Sequence, residues 1–242
     1  MDSIKTLIGQ NQVNMPISKI KTEEPKPIKC WFCEKDIKAV WEWDHWDQPK
    51  IHNECMYFIN RMDKSGIHKK YWKLPPELRE EGNRKVFEAV DQFIKNPIKG
   101  LYIYGEAGTG KTYFSVKIFQ ALKDAKFIKA PRFLLSLKSN FEDRRSSWKN
   151  EEMIDKLATA PILIIDDLGA EKPSDWVSET FYILIDERYS RMLPTVITSN
   201  FDLDELTQRF GDRISSRISE MCRIIKITTN DKREFMRKKI SS

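Results

Sequence analysis

The sequence predicts an α/β domain in which a parallel sheet is covered by helices on both faces. From about residue 66 onward, short apolar runs alternate with segments whose apolar residues recur at helical spacing. One run, residues 161–165, is uninterrupted and mostly aliphatic, which is typical of a central strand buried on both faces. A glycine-rich segment, residues 105–110, joins a predicted strand to a predicted helix, as is common in sheets of this kind.

The composition excludes several classes of protein. The 242 residues are 40% hydrophobic and 32% charged, with a formal net charge of +6 at pH 7. Such a chain can bury a core, so disorder throughout is excluded. No apolar run reaches the roughly 20 residues that a membrane-spanning helix requires, and the first residues lack the pattern of a signal peptide. We therefore expect a cytoplasmic protein with no membrane partner, and the positive charge favours an anionic one.

Composition also divides the chain into three predicted parts. Residues 1–28 are polar and contain three prolines, so we expect a flexible arm. Residues 29–65 hold three of the four cysteines in a segment too short for an ordinary core. We expect this segment to be a small module that folds around a metal ion. Residues 66–242 form the predicted α/β domain.

Secondary structure alternates along this domain. We predict strands at 101–104, 126–128, 161–165, 195–198 and 223–228. We predict helices over 75–96, from Lys111 onward, over 131–157 with a break near 139–140, over 176–192, 203–210 and 212–221, and from Asp231 onward.

A phosphate-binding loop is the clearest motif of the sequence. The segment between the first strand and its helix reads Gly105-Glu106-Ala107-Gly108-Thr109-Gly110-Lys111-Thr112, which is the pattern of a P-loop. Glycines let the backbone turn so that its N–H groups converge on phosphate oxygens at a helix N-terminus. Lys111 supplies positive charge to the β- and γ-phosphates, and the Thr112 hydroxyl binds Mg²⁺. The motif predicts a nucleoside triphosphate and Mg²⁺ as ligands.

Polar residues at the ends of two further strands complete this predicted site. Asp166 and Asp167 directly follow the aliphatic strand, and we predict that Asp166 holds Mg²⁺ through water. Asp167 stands where many ATPases use a glutamate to orient the attacking water. Its side chain is one methylene shorter, so we expect slow hydrolysis. Asn200 follows a strand that we expect between the first and third, where its amide can hold the nucleophilic water.

The cysteines have the spacing of a metal site. Cys30-x-x-Cys33 is followed after eighteen residues by His52-x-x-Cys55, and three thiolates with one imidazole suit tetrahedral Zn²⁺. His45 is a competing imidazole, although its spacing to Cys55 lacks the knuckle form. The alternative is three reduced, buried cysteines beside an unrelated histidine.

The ordered motifs GEAGTGKT, ILIIDDLGAE, TVITSNFDLDEL and FGDRISSRI resemble those of the DnaC/DnaI-type replicative helicase loaders of the AAA+ class. The related transposition helper ATPases of the IstB kind share most of them. The resemblance covers about residues 66–239 and implies a P-loop AAA+ (ASCE) fold and an ATP site at a subunit interface. Only about 14 residues follow the last predicted strand, so we expect no full C-terminal lid, a feature the loaders also lack.

The resemblance also implies an arginine finger. Arg217 matches the finger, which supplies positive charge to the γ-phosphate held by a neighbouring subunit, and Arg213 is its close rival. The alternative is that these arginines, one helical turn apart, pair with Asp212 or Glu220 on the helix surface.

Single-stranded DNA is the expected ligand of the stretch between the second and third strands. Basic residues there track phosphates while aromatic faces accept unstacked bases. By resemblance, Phe141, Ser174 and Trp176 stand where the loaders touch single-stranded DNA, with Arg144 and Arg145 adding charge nearby. The alternative is a solvated helix with aromatic residues in the core.

The predicted function is that of an ATPase that loads a replicative ring helicase onto single-stranded DNA during replication initiation. In the loaders the region before the ATPase core grips the helicase, so the zinc module is expected to bind a partner. Two alternatives stay open. One is a transposition helper that acts on duplex DNA, and the other is an adaptor that uses ATP only as a structural ligand.

Overall fold

The structure is a computed structural model that describes residues 28–30, 32–37, 53–74, 83–142 and 147–228. The predicted arm, apart from its last residue, lies outside the described residues, as does the helix predicted from Asp231 onward. In the first of two compact units, strands β1 (Ile28–Lys29) and β2 (Asp36–Ile37) pair antiparallel. The second unit begins with helix α1 (Asn53–Lys64) and contains the α/β domain.

Five parallel strands form the sheet of the α/β domain: β3 (Gly100–Tyr104), β4 (Ala125–Lys129), β5 (Ile162–Leu168), β6 (Thr195–Ser199) and β7 (Cys222–Lys226). Their order across the sheet is β4-β5-β6-β3-β7. The strand β6 therefore lies between β3 and β5, with Leu101 beside Val196 and Leu163 beside Thr195, and this prediction is confirmed. Because all neighbours are parallel, the carboxyl ends of β3, β5 and β6 meet at one edge.

Seven α-helices belong to this domain within its described part: α2 (Arg84–Lys95), α3 (Lys111–Ala121), α4 (Ala130–Glu142), α5 (Ser147–Ala158), α6 (Asp175–Ser190), α7 (Leu203–Phe210) and α8 (Asp212–Met221). Side chains from α4 to α8 pack on one face of the sheet around Leu163 and Ile165. Ile164 points to the opposite face because strand side chains alternate, and α2 and α3 contact the sheet there. The predicted sheet covered by helices on both faces is confirmed.

The break predicted near residues 139–140 is displaced by a few residues, since α4 ends at Glu142 and α5 begins at Ser147. Helix α4 continues through both positions and ends at Glu142. The Ser139 hydroxyl donates to the carbonyl of Ser136 at 2.9 Å, and the Asn140 amide donates to Asn150 Oδ1 at 2.8 Å. Asn150 in turn donates to the carbonyl of Leu137 at 3.1 Å. Polar residues that locally favour a helix end instead join α4 to α5.

Helix α1 is attached to the C-terminal end of α3 by Arg61. Its guanidinium donates to the carbonyls of Phe119, Leu122 and Ala125 at 2.8, 2.6 and 3.1 Å and stacks 3.7 Å from the centroid of the Phe119 ring. The predicted module boundary at residue 65 stays a prediction. Helix α1, which that boundary assigns to the module, is nevertheless hydrogen-bonded to the α/β domain. Among the described helices, none has the length and hydropathy to cross a bilayer.

Candidate nucleotide-binding site

The loop between β3 and α3 has the conformation that its glycines predict. Gly105 has a φ of +153°, and a Cβ there would approach the carbonyl oxygen of Ile227 to 2.5 Å. Gly110 is the N-cap of α3 with a φ of +99°, which non-glycine residues rarely adopt. The loop therefore turns sharply into α3 and leaves the N-terminus of that helix at the edge where the strands end.

Lys111 lies inside this loop and is 5% exposed. Its ammonium donates to the carbonyl oxygens of Gly105 and Glu106, both at 2.7 Å. The Thr109 hydroxyl also donates to Glu106, at 2.9 Å. The side chain of Lys111 thus crosses the inside of the loop. Its positive charge lies at the centre of the turn.

Asp166 is the buried acid of the site, with none of its surface exposed. Its carboxylate accepts hydrogen bonds from the hydroxyls of Thr112 at 3.2 Å, Ser115 at 2.9 Å and Thr198 at 2.8 Å. Burial, and next the charge of Asp167, raise the pKa of Asp166, while the hydrogen bonds from Thr198 and Ser115 and the charge of Lys129 oppose that rise. The predicted pair of Thr112 and Asp166 is therefore in direct contact across α3 and β5.

Sequence reasoning missed Ser115 and Thr198. A signal for each existed in the chain. Ser115 follows Thr112 by three residues, which places both hydroxyls on one side of α3. Thr198 is the residue before the end of β6, a strand already expected beside β5.

Asp167 differs from Asp166 in backbone conformation. It has a φ of +63°, a value that aspartate tolerates better than most residues. The β5–β6 register shifts between Ile165 and Leu168, and the Asp167 N–H donates to the Thr198 hydroxyl at 3.0 Å. Such a bulge redirects the side chain that follows, so the directions of the two carboxylates are set independently.

The segment after β5 is fastened to the end of β6. The Ser199 hydroxyl donates to the carbonyl of Leu168 at 2.7 Å. The Gly169 N–H donates to Glu171 Oε1 at 3.0 Å, and burial raises the pKa of Glu171. Asn200 directly follows β6 with an exposed side chain, and its role in holding water stays a prediction.

The two candidate finger arginines lie on α8. Arg217 donates through Nε to the carboxylate of Asp186 on α6, and it stacks 4.9 Å from the centroid of the Tyr182 ring. The partner is thus neither Asp212 nor Glu220, which the helix-surface alternative named. Arg213 is exposed, with its guanidinium 5.9 Å from the Tyr182 ring.

The predicted DNA contacts are described in part. Ser174 is the N-cap of α6 and accepts from the N–H of Val177 at 3.3 Å. Trp176 is half-buried, with the ammonium of Lys138 at 5.1 Å from the centroid of its ring. Phe141 belongs to the last turn of α4, but its side chain lies outside the described residues, and so do Arg144 and Arg145.

Three of the four predicted zinc ligands are described. Cys30 is buried and Cys33 half-buried in the first unit, and Cys55 is half-buried on α1 of the second. The chain turns at the first pair because the N–H of Glu34 donates to the carbonyl of Cys30 at 2.9 Å. Two cysteines separated by two residues on such a turn suit Zn²⁺. His52 and its rival His45 lie outside the described residues.

Comparison with known proteins agrees with this geometry. The chain is 32% identical over 144 residues to the replicative helicase loader DnaI of Bacillus subtilis (strain 168), covering 55% of this chain and 45% of DnaI. It is 26% identical over 177 residues to the replicative helicase loader DnaC of Escherichia coli (strain K12), covering 69% of this chain and 71% of DnaC. The crystal structure of the DnaC helicase loader superposes with a TM-score of 0.59 at 25% identity, over 66% of this chain and 100% of that one.

The chain thus spans less than half the length of DnaI. Its α/β domain has the P-loop AAA+ fold, which it shares with the DnaC helicase loader structure. The family model described as IstB-like ATP binding protein matches residues 82–241. That match includes the phosphate-binding loop, the buried acid on β5 and the arginines of α8, and the chain belongs to the family of IstB-like ATP-binding proteins.

Proposed function

We propose that this protein is an ATP-dependent loader that binds single-stranded DNA and delivers a replicative ring helicase during replication initiation. The similarity to DnaI and DnaC supports the role. The observation that carries the ATP dependence is the buried carboxylate of Asp166, which three hydroxyls hold beside the phosphate-binding loop.

The nucleotide is proposed to bind where Lys111 now bonds to the loop carbonyls. Its ammonium transfers those hydrogen bonds to the β- and γ-phosphate oxygens, and the N-terminus of α3 stabilises their negative charge. The oxygen atoms of Thr112 and Asp166 are the hard ligands that Mg²⁺ prefers, and Asp166 acts through water. The bound Mg²⁺ supplies positive charge to the phosphates.

Hydrolysis in this proposal depends on groups around that pocket. Asp167 orients the attacking water, and Asn200 helps to hold it. Arg217, or Arg213 in its place, reaches the γ-phosphate of a neighbouring copy of the chain. The short side chain of Asp167 makes the reaction slow, which suits a protein that uses ATP to time assembly and release.

Single-stranded DNA is proposed to lie along α4, α5 and the start of α6. Lys138 and Trp176 are adjacent there, and Trp148 exposes 58% of its surface on α5. Such pairs of cation and aromatic ring suit a phosphate backbone with unstacked bases. Cys30, Cys33 and Cys55, with His52, are proposed to bind Zn²⁺ and shape the module that contacts the helicase.

Replacement of Lys111 tests the proposal. We expect Lys111→Ala to bind fluorescent ATP roughly 100-fold more weakly, because a buried charge-assisted contact is lost, and to load no helicase onto a single-stranded circle. Lys123→Ala, at an exposed lysine just beyond α3, is the matched control. The proposal is wrong if Lys111→Ala binds ATP as tightly as the parent.

A second candidate function is that of a transposition helper, which the match to the IstB-like family favours. The two differ in their nucleic acid. A loader prefers single-stranded DNA in a competition assay with ATP present, whereas a helper prefers duplex DNA. An adaptor that only binds ATP differs from both, because Asp167→Asn would leave all its functions unchanged.

A further inference from the structure

We propose that Asp186 is a positioning residue that holds Arg217 ready for the nucleotide of a neighbouring copy of this chain. The inference rests on the proposed function, in which Arg217 acts as the arginine finger. Arg217 lies on α8 and Asp186 on α6, so neither the resemblance nor the local sequence pairs them. On this proposal, Asp186 holds the side chain of Arg217 in position before two copies of the chain meet.

The side chain of Arg217 is fixed on several sides. Its Nε donates to the Asp186 carboxylate, one terminal nitrogen donates to the Tyr182 hydroxyl at 3.3 Å, and the other to the carbonyl of Arg213 at 3.2 Å. The guanidinium carbon is 4.9 Å from the centroid of the Tyr182 ring and 5.7 Å from that of Tyr189. The side chain stays 24% exposed, so it is ordered and still reachable.

This arrangement leaves part of the hydrogen-bonding capacity of the Arg217 guanidinium for a phosphate. A guanidinium has five N–H groups, and the three hydrogen bonds use three of them. Within the described part of the chain, two N–H groups on the terminal nitrogens remain for another acceptor. Because Asp186 accepts from the inner nitrogen, Nε, the two terminal nitrogens of the guanidinium can face a phosphate.

Preorganisation is what Asp186 contributes. A free arginine side chain samples many rotamers and loses that freedom when it contacts a phosphate. Holding the side chain beforehand removes this loss from the step in which the copies meet. The negative charge of Asp186 works against the finger, however, since it partly offsets the positive charge that the γ-phosphate meets. The acceptor oxygen is therefore the useful feature of Asp186, and its charge is not.

Arg213 differs from Arg217 in how its side chain is held. It is exposed, and its guanidinium is 5.9 Å from the Tyr182 ring. Its backbone carbonyl serves as an acceptor for Arg217. In the described structure the arginine next to Asp186 is thus the one held in place, which favours Arg217 as the finger.

Complementation between two variants of the 242-residue chain tests the proposal. Lys111→Ala lacks a working nucleotide site but keeps the finger, while Arg217→Ala lacks the finger but keeps the site. In an equal mixture about one interface in four joins a working site to a working finger, so ATPase activity on single-stranded DNA returns to about a quarter of the parent rate. We expect Asp186→Ala to behave as Arg217→Ala does: it is restored by Lys111→Ala and is not restored by Arg217→Ala.

Conservative replacement separates positioning from charge. We expect Asp186→Asn, which keeps an acceptor oxygen, to retain the parent rate to within about twofold, and Asp186→Ala to lose roughly tenfold. Glu187→Ala is the control, because it removes a carboxylate that pairs at 2.6 Å with Arg191, the residue that follows α6, and it should leave the rate unchanged.

The outcomes distinguish the inference from the function beneath it. If Lys111→Ala and Arg217→Ala fail to restore each other, the finger role of Arg217 in the proposed function is wrong, and the inference fails with it. If they do restore each other but Asp186→Ala hydrolyses ATP at the parent rate, or is restored by Arg217→Ala, then only the role of Asp186 is wrong. Equal losses in Asp186→Asn and Asp186→Ala also overturn it.

Discussion

The sheet edge at Asp166 and the outer surface of α4 and α5 are built in opposite ways. At the sheet edge, a fully buried carboxylate is held by three hydroxyls from two elements. On α4 and α5, Leu135 and Trp148 expose 65% and 58% of their surfaces, and the ammonium of Lys138 lies 5.1 Å from the centroid of the Trp176 ring. Phosphoryl transfer requires catalytic groups that are fixed in advance. Single-stranded DNA of varied sequence is instead best bound by adaptable contacts.

The largest expected effect is at Asp166. Asp166→Asn removes the charge that is proposed to hold Mg²⁺, and metal assistance is worth several kcal/mol. We expect ATP hydrolysis to fall by roughly 100-fold or more, since each ~1.4 kcal/mol is about tenfold in rate. Steady-state hydrolysis at several Mg²⁺ concentrations measures this loss.

The same substitution also tests how burial of the Asp166 carboxylate affects the stability of the folded protein. Because desolvation raises the pKa of Asp166, its charged form destabilises the folded protein in the absence of metal. We expect Asp166→Asn, with EDTA present, to unfold at the parent temperature or above it. A lower unfolding temperature would mean that the three hydroxyls more than offset the desolvation of the carboxylate.

An intermediate effect is expected for the hydroxyls around that carboxylate. A hydrogen bond to a charged group is worth about 1.5–3 kcal/mol. Ser115→Ala or Thr198→Val should therefore lower hydrolysis about tenfold and raise the Mg²⁺ concentration needed for half-maximal rate. Ser136→Ala, which removes an exposed hydroxyl from α4, is the control. Parent-like kinetics in both site variants would show that Asp166 is positioned by its strand alone.

The smallest effect is expected on the exposed face. Lys138→Gln removes one cation beside Trp176. We expect single-stranded DNA to bind only a few-fold more weakly, with the salt slope reduced by about one. Titrations at four salt concentrations measure both quantities. A loss as large as that at Asp166 would contradict the contrast between a preorganised site and a distributed surface.

Much of the α/β domain could be predicted from local patterns. Helices α3, α7 and α8 begin at the predicted residues, α3 and α8 directly after glycines and α7 directly after Asp202. The place of β6 between β3 and β5 followed from the motif order and is confirmed. Strand β5 runs on to Leu168 instead of ending before Asp166, because its last residues still pair with β6 across a bulge. That extension depends on the neighbouring strand and has no local signature.

The contacts between distant elements could not be predicted in the same way. Asn140 and Asn150 pair across two helices where local propensity favoured a break. Arg188 is fully buried and donates to five acceptors, among them the carbonyls of Leu157 and Ala160. Burial lowers its pKa to about 10. Nothing in the residues around Arg188 distinguishes it from an exposed helix arginine.

The sequence by itself determined the order of strands and helices, the phosphate-binding turn and the identities of its lysine and acids, because glycine geometry and hydrophobic period act over a few residues. Only the tertiary structure decided which hydroxyls surround Asp166, where β5 ends, and that Asp186 holds Arg217. Those choices join residues more than thirty positions apart, and the free energy of such contacts depends on burial that arises only when the whole sheet has formed.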